Sequence, residues 1–229
     1  MLYNSITMTK LAIAVPTRGR PHNLKRLSKA AKETCTTDYE IFARLDNDDK
    51  SKYPELDNVR YSVGERIFYA NSVNELAKTA LEEGFTHIAI LGDDVLPETV
   101  GWDEKLISSL EDSLGVVYGS DGLEHLHGQD LPTHVIVPIE MYQRLGWIAL
   151  PTLRHLFCDN VWRELGKATK FVYRQDVKLS HLHRWNKAAP DDKTYQEAND
   201  KVKRDLDRIA FETWRDGDGL QIAKEALQK

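Results

Sequence analysis

The sequence predicts a single α/β domain, a doubly wound sheet of buried strands with helices on both faces, over residues 1–190, with a helical extension over 191–229. Three observations predict it. Leu11–Val15 and His87–Leu91 are short apolar runs without alternation, as in strands buried on both faces of a parallel sheet. Segments with apolar residues at helical spacing lie between such runs. Each of three strands gives way to a polar loop, at 16–21, 46–49 and 92–95, and doubly wound sheets bind ligands beyond the carboxyl ends of their strands.

Pro16 ends the first strand, and Thr17-Arg18-Gly19-Arg20-Pro21 leads into a helix carrying Leu24, Leu27 and Ala31. A second strand, about Tyr39 to Leu45, stops at Asp46-Asn47-Asp48-Asp49, a cluster too rich in turn formers to continue it. A third, Val59 to Val63, precedes a helix with Val73, Leu76, Ala77, Ala80 and Leu81 on one face and Gly84 at its end. The next strand ends at Gly92-Asp93-Asp94. After a helix at about 101–113 the winding becomes less regular. Strands are expected near Val116, Val135, Phe171 and Val177, and helices from Pro138 toward Leu145 and near Asp159 to Leu165. From about Thr194 to Trp214, the spacing of Val202, Leu206, Ile209 and Thr213 predicts one amphipathic helix with a charged outer face.

The chain has 229 residues, 41% hydrophobic and 29% charged, enough to bury a core and too apolar for disorder. A net charge of -5 supplies no global basic field for nucleic acid and tilts against duplex DNA as a partner. Cys35 and Cys158 are the only cysteines, which excludes a disulfide framework and suits a reducing compartment. No run approaches the ~20 apolar residues of a membrane span, and no secretory signal is visible. These features predict a cytoplasmic protein with no membrane span.

Asp93 and Asp94, directly after an apolar strand, are hard oxygen ligands suited to Mg²⁺ or Mn²⁺ bridging a diphosphate, or simply a strand-end turn. His181 and His183 alternate along a strand-like segment and so are expected on opposite faces, one a ligand and the other structural. His155, Cys158, His181 and His183 have the residue types of a tetrahedral zinc site, without a familiar spacing. Asp159, beside Phe157, Val161 and Trp162, is either a partly desolvated general base or a helix-start aspartate. Arg18, Arg20 and Arg66 are phosphate or base contacts or solvated surface residues. Trp147, Trp162 and Trp185 stack on a sugar or base or pack in the core.

Taken in order, these segments resemble the family 2-like glycosyltransferases of the GT-A fold, a Rossmann-like, mixed and mostly parallel sheet. The resemblance runs through about Asp192. Leu11 to Arg20 looks like the family's opening strand and nucleotide loop, which implies that Pro16, Thr17 and Arg18 line a nucleotide. Asp46 matches the aspartate that accepts from the base, usually uracil, and Arg66 and Asn71 fall in the segment that closes over it. Leu91-Gly92-Asp93-Asp94-Val95-Leu96-Pro97 resembles the D-x-D region, with Gly92 where the first aspartate usually stands. That alignment makes Asp94 the metal ligand, with Asp93 facing the ribose or assisting through water. His155 to Trp162 resembles the acceptor-side motif and implies Asp159 as catalytic base. Ser180-His181-Leu182-His183-Arg184 resembles the late metal-binding histidine followed by a phosphate-contacting arginine, which implies His181 as ligand, His183 as its alternate, and Arg184 as diphosphate clamp. The stretch from His181 through Asp191 to Tyr195 is also similar to compact glycosyltransferases of phage genomes.

The resemblance implies a Mn²⁺- or Mg²⁺-dependent transfer, with inversion, from a nucleotide sugar such as a UDP-sugar to an acceptor hydroxyl. The acceptor stays open among glycan, lipid, protein and modified nucleobase. Two alternatives stand beside it. A sugar nucleotidyltransferase shares the sheet and metal but opens on a glycine-rich loop that Pro16–Pro21 lacks. A non-catalytic nucleotide- or sugar-binding member is the reading that Gly92 favours.

Overall fold

The computed structural model describes residues 8–189 and 192–229, with the Trp185 side chain left out. Strand β1 (Lys10–Pro16) lies between β2 (Asp38–Asp46) and β4 (His87–Ile90), parallel to both, and β3 (Val59–Gly64) adds in parallel to β2. Successive β1 side chains enter opposite cores. Ala12 and Ala14 belong to one, Leu11, Ile13 and Val15 to the other, so every position is apolar and no alternation shows. Helix α1 (Pro21–Thr34) begins on a proline whose missing N–H costs nothing there, and sends Leu24 and Leu27 into the second core. Helix α2 (Phe68–Glu82) sends Val73, Leu76, Ala77 and Ala80 into the first. The sheet is thus covered on both faces.

Beyond β4 the sheet becomes mixed. Strands β5 (Val95–Pro97), β6 (Val116–Ser120), β7 (Val135–Pro138) and β8 (Phe171–His181) complete the order β3-β2-β1-β4-β7-β6-β8-β5. β7 runs antiparallel to β4 and β6, β8 runs parallel to β6, and β5 runs antiparallel to β8. The helices of this half are α3 (Trp102–Ser108), α4 (Glu124–His127), α5 (Ile139–Leu145) and α6 (Cys158–Ala168). After them come α7 (Lys193–Ala198), α8 (Lys201–Asp216) and α9 (Asp218–Gln228). Among the described residues no helix is long and apolar enough to cross a membrane.

Four expectations are corrected. The helix expected to reach 113 ends at Ser108, and the turns after it place Glu111 and Asp112 at φ 51° and 59°, outside helical space. The strands near Phe171 and Val177 are one strand, broken in pattern because Gln175 and Asp176 are exposed where the pairing jumps from Gly119↔Arg174 to Ser120↔Lys178. The single C-terminal helix is three. Asp200 starts α8 by accepting from the Lys203 N–H at 3.1 Å, and α9 lies beyond the expected end. Val202, Leu206 and Ile209 do not face inward either: they are 66%, 47% and 53% exposed. The buried face is Asp207, Phe211 and Trp214, because the aromatic pair offers more apolar area and finds partners, Phe157 stacked on Phe211 and Trp147 edge-on to Trp214.

Candidate active site

The carboxyl ends of β1, β2 and β4 bring the three polar loops to one cavity of about 140 Å³, lined by Pro16, Thr17, Arg18, Asp46, Asp93 and Asp94 among others. The two adjacent aspartates diverge there. Asp93 turns toward α1, accepting from the Thr17 hydroxyl at 2.6 Å and from Asn23 Nδ2 at 3.2 Å. Asp94 turns toward β8. The chain enters β5 directly after Asp94, and the β5–β8 register sets Val95 opposite His181 while the Leu182 N–H donates to the Asp94 carbonyl at 2.8 Å. Asp94 Oδ1 therefore sits 3.4 Å from His181 Nε2.

Arg20, 6% exposed, stands between the carboxylates, with Nη1 3.4 Å from both Asp93 and Asp94. Its Nε and Nη2 donate to Asp192 at 2.7 and 2.8 Å, and its guanidinium lies 4.0 Å over the Tyr195 ring. The Tyr195 hydroxyl donates to Asp94 Oδ2 at 2.7 Å. Asp192 also caps α7 by accepting from the Tyr195 N–H, so one residue both starts that helix and anchors it to the site.

These contacts separate the pair electrostatically. Burial, then the charge of Asp94, pushes Asp93 above the usual carboxylate range. Burial acts on Asp94 in the same direction, but His181, Tyr195 and Arg20 outweigh it and hold it low, hence ionised. Burial opposes protonation of His181, and Asp94 more than restores it. The expected opposition of His181 and His183 does not hold. The strand ends at His181, so the pleat no longer dictates direction, and the two rings meet edge to face at 5.1 Å. His183 also abuts Tyr195 at 4.7 Å, and burial, then His181, lowers its pKa to about 4.

A small divalent ion fits this donor set. The 3.4 Å between Asp94 Oδ1 and His181 Nε2 is near the ~3 Å between neighbouring ligands of an octahedral ion with ~2.1 Å bonds. Among the described residues no group of three His, Cys, Asp or Glu side chains is arranged to hold a metal. Two protein ligands suit Mg²⁺-like ions that take their remaining ligands from phosphate and water. Of the residue types that suggested zinc, His155 packs on Tyr69 at 5.2 Å.

Arg18 donates to Asp46 at 2.8 Å and grips Asp48 with two bonds of 2.6 and 2.7 Å. Arg66 lies 3.8 Å from Asp46 and donates to Glu197 at 2.5 Å. Asn71, in the first turn of α2, and Arg184, in a single helical turn at 184–186, line neither this cavity nor the next. A second cavity of about 390 Å³ runs from Asp94, His181 and His183 to Asp159. Asp159 lies in the first turn of α6, half-buried, with burial raising its pKa. The loop before α6 is held from both sides. The buried Asp207 carboxylate accepts the Arg154, His155 and Leu156 N–H groups at 2.9, 3.0 and 2.9 Å, and the Arg154 carbonyl accepts from Tyr69 and Ala70 at the start of α2. Trp162 is fully buried with its indole N–H on the Ile148 carbonyl, and Trp147 packs on Trp214. The Trp185 side chain and Asp191 lie outside the described residues.

Sequence reasoning missed the roles of Asp192, Tyr195 and Asp207. Arg20 and Asp192 are 172 residues apart, Tyr195 and Asp94 101, and no local pattern links such pairs. Only the cap position of Asp192 before a helical stretch carried a signal.

No protein-family model and no curated protein matches the sequence. Solved structures do match the fold. The mannosyltransferase PcManGT from Pyrobaculum calidifontis, in complex with GDP-Man and Mn²⁺, superposes with a TM-score of 0.64 at 15% identity, over 98% of this chain and 69% of that one. S. aureus TarS 1-349 in complex with UDP gives 0.54 at 12% identity, over 75% of this chain and 59% of that one. Its complex with UDP-GlcNAc gives 0.54 at 14% identity, over 75% and 57%. The chain thus spans less than two thirds of the TarS fragment. The fold is the GT-A, Rossmann-like fold of glycosyltransferases.

Proposed function

We propose that this chain is a metal-dependent glycosyltransferase that moves a sugar from a nucleotide donor, a UDP-sugar, to an acceptor hydroxyl with inversion. The observation that carries the reading is the Asp94–His181 pair, set by the β5–β8 register beside Thr17 and Arg20 at the carboxyl edge of a GT-A sheet. The ligands bound in the structural neighbours, GDP-Man with Mn²⁺, UDP and UDP-GlcNAc, support it.

Asp94 and His181, with His183 as the alternate ligand, hold Mn²⁺ or Mg²⁺. When bound, the ion supplies positive charge to the leaving nucleoside diphosphate. Pro16, Thr17 and Arg18 line the nucleotide, Asp46 accepts from its base beside Arg66, Asn71 is assigned to the base by the resemblance alone, and Asp93 serves the ribose. Arg184 is the diphosphate clamp that the family resemblance implies. Asp159 takes the proton of the acceptor hydroxyl as that oxygen bonds to the anomeric carbon, and the anomeric C–O bond breaks with its electron pair leaving on the diphosphate.

The test is donor binding and hydrolysis over a panel of nucleotide sugars, with and without Mn²⁺. Asp94→Ala is expected to remove metal-stimulated binding. Binding that ignores both Mn²⁺ and Asp94→Ala would sink the site. Pyrophosphate release from a nucleoside triphosphate and a sugar phosphate would instead identify a nucleotidyltransferase, and tight binding without turnover a non-catalytic protein.

A further inference from the structure

The two cavities share seven lining residues, Arg20, Tyr69, Asp94 and His155 among them, yet their walls differ in chemistry. Arg18, Arg20, Arg44, Arg66, Arg154 and Lys203 line the first, interleaved with Asp46, Asp93, Asp94, Glu197 and Asp207, a charged wall on which arginines can turn to phosphates. Of these cations only Arg20 reaches the second, and its guanidinium is already gripped by Asp192 at 2.7 and 2.8 Å. His127, also on the second wall, is turned onto the Asp121 carboxylate at 2.9 Å and the Gly128 carbonyl at 2.7 Å. No arginine or lysine among the described lining residues is left to receive a phosphate chain.

Hydrocarbon takes the place of those cations. Leu123, Leu126, Leu131, Leu156, Phe157 and Trp162 line the second cavity. Trp162 gives its indole N–H to the Ile148 carbonyl, so the ring offers the cavity only carbon. Leu126 is 50% exposed, an apolar side chain left toward solvent. A hydroxyl set against these six side chains would lack a partner, which costs binding, whereas an alkyl or aryl body would be desolvated against them; Thr133, Asp159, Tyr195 and Asn199 on the same cavity suit the hydroxyl-bearing end.

We propose that the acceptor of this site is a hydroxyl compound with an apolar body, the body held by the leucine and aromatic wall and the hydroxyl near Asp159. This rests on the glycosyltransferase reading for the transfer step, but the binding site can be tested without it.

Binding of methyl, octyl and phenyl β-glucosides, octyl below its micelle-forming concentration, is measured first by calorimetry with no donor present. The octyl or the phenyl compound is expected to bind about tenfold or more tighter than methyl, the order expected for burying a few carbon groups. An octyl preference identifies a lipid-like body and a phenyl preference an aryl one; either supports the proposal. Leu126→Asp is expected to erase the preference and Leu126→Met to keep it. Equal binding of the three glucosides, a preference that survives Leu126→Asp, or tighter binding of an anionic oligosaccharide overturns it. Transfer is measured second. Preferential binding with no transfer from any nucleotide sugar overturns the glycosyltransferase reading and leaves the apolar ligand site standing.

Discussion

At the scale of single residues, Gly92 and Asp94 have to be considered together. A Cβ built on Gly92 would lie 2.6 Å from Asp94 Oδ1, the oxygen that faces His181. Glycine keeps that carboxylate in place, so the departure from the D-x-D pattern coincides with a requirement of this site. Gly92→Asp, which restores the pattern, is therefore expected to weaken Mn²⁺ binding by roughly tenfold or more, since ligand orientation governs affinity; titration calorimetry reads this, and tighter binding would refute it. Asp159 sets the second expectation. A base must be ionised to accept a proton, and burial raises its pKa. Transfer should then fall as pH drops, along a limb lying above the ~3.9 of an exposed aspartate. Asp159→Asn should lose roughly 10²-fold or more in kcat and remove that limb while keeping donor binding. An unchanged pH profile of the residual rate would count against the assignment.

At the scale of elements, short β5 matters more than its three residues suggest, because its pairing with β8 carries Asp94 to His181. Helix α8 acts at a distance in the same way. Its Asp207 is the acceptor for three consecutive N–H groups of the loop before α6, and Arg154 and His155 of that loop line the first cavity. Asp207→Ala leaves those donors without a partner and is expected to cost about 3 kcal/mol of stability, read by denaturant unfolding, with weaker nucleotide binding. An unchanged midpoint would show that the loop finds other acceptors. The amphipathic pattern in α8 misled because Val202, Leu206 and Ile209 match a helical period as well as Phe211 and Trp214 do. Periodicity locates a face without saying which face finds a partner.

At the scale of the whole molecule, two cores flank the sheet, and the C-terminal helices belong to one of them: Phe211, Trp214, Ala223 and Leu227 pack with residues of α2, α5 and α6. Arg144 of α5 donates to the Leu227 carbonyl at 2.9 Å. Deleting residues 218–229 uncovers this face and should cost about 2 to 4 kcal/mol, seen as a lower unfolding temperature in the absence of donor. Retention of the full unfolding temperature would mean that α9 is an independent addition. The sequence by itself determined the buried strands β1 and β4, helices α1 and α2, and the polar loops at their carboxyl ends, because burial on two faces and helical packing leave short-range patterns in the chain. Only the tertiary structure decided that Asp94 faces His181, that Arg20 and Tyr195 close around it, and that Asp207 holds the loop before Asp159. Those partners are distant in sequence, and register, packing and the competition of faces for burial, all properties of the assembled chain, select them.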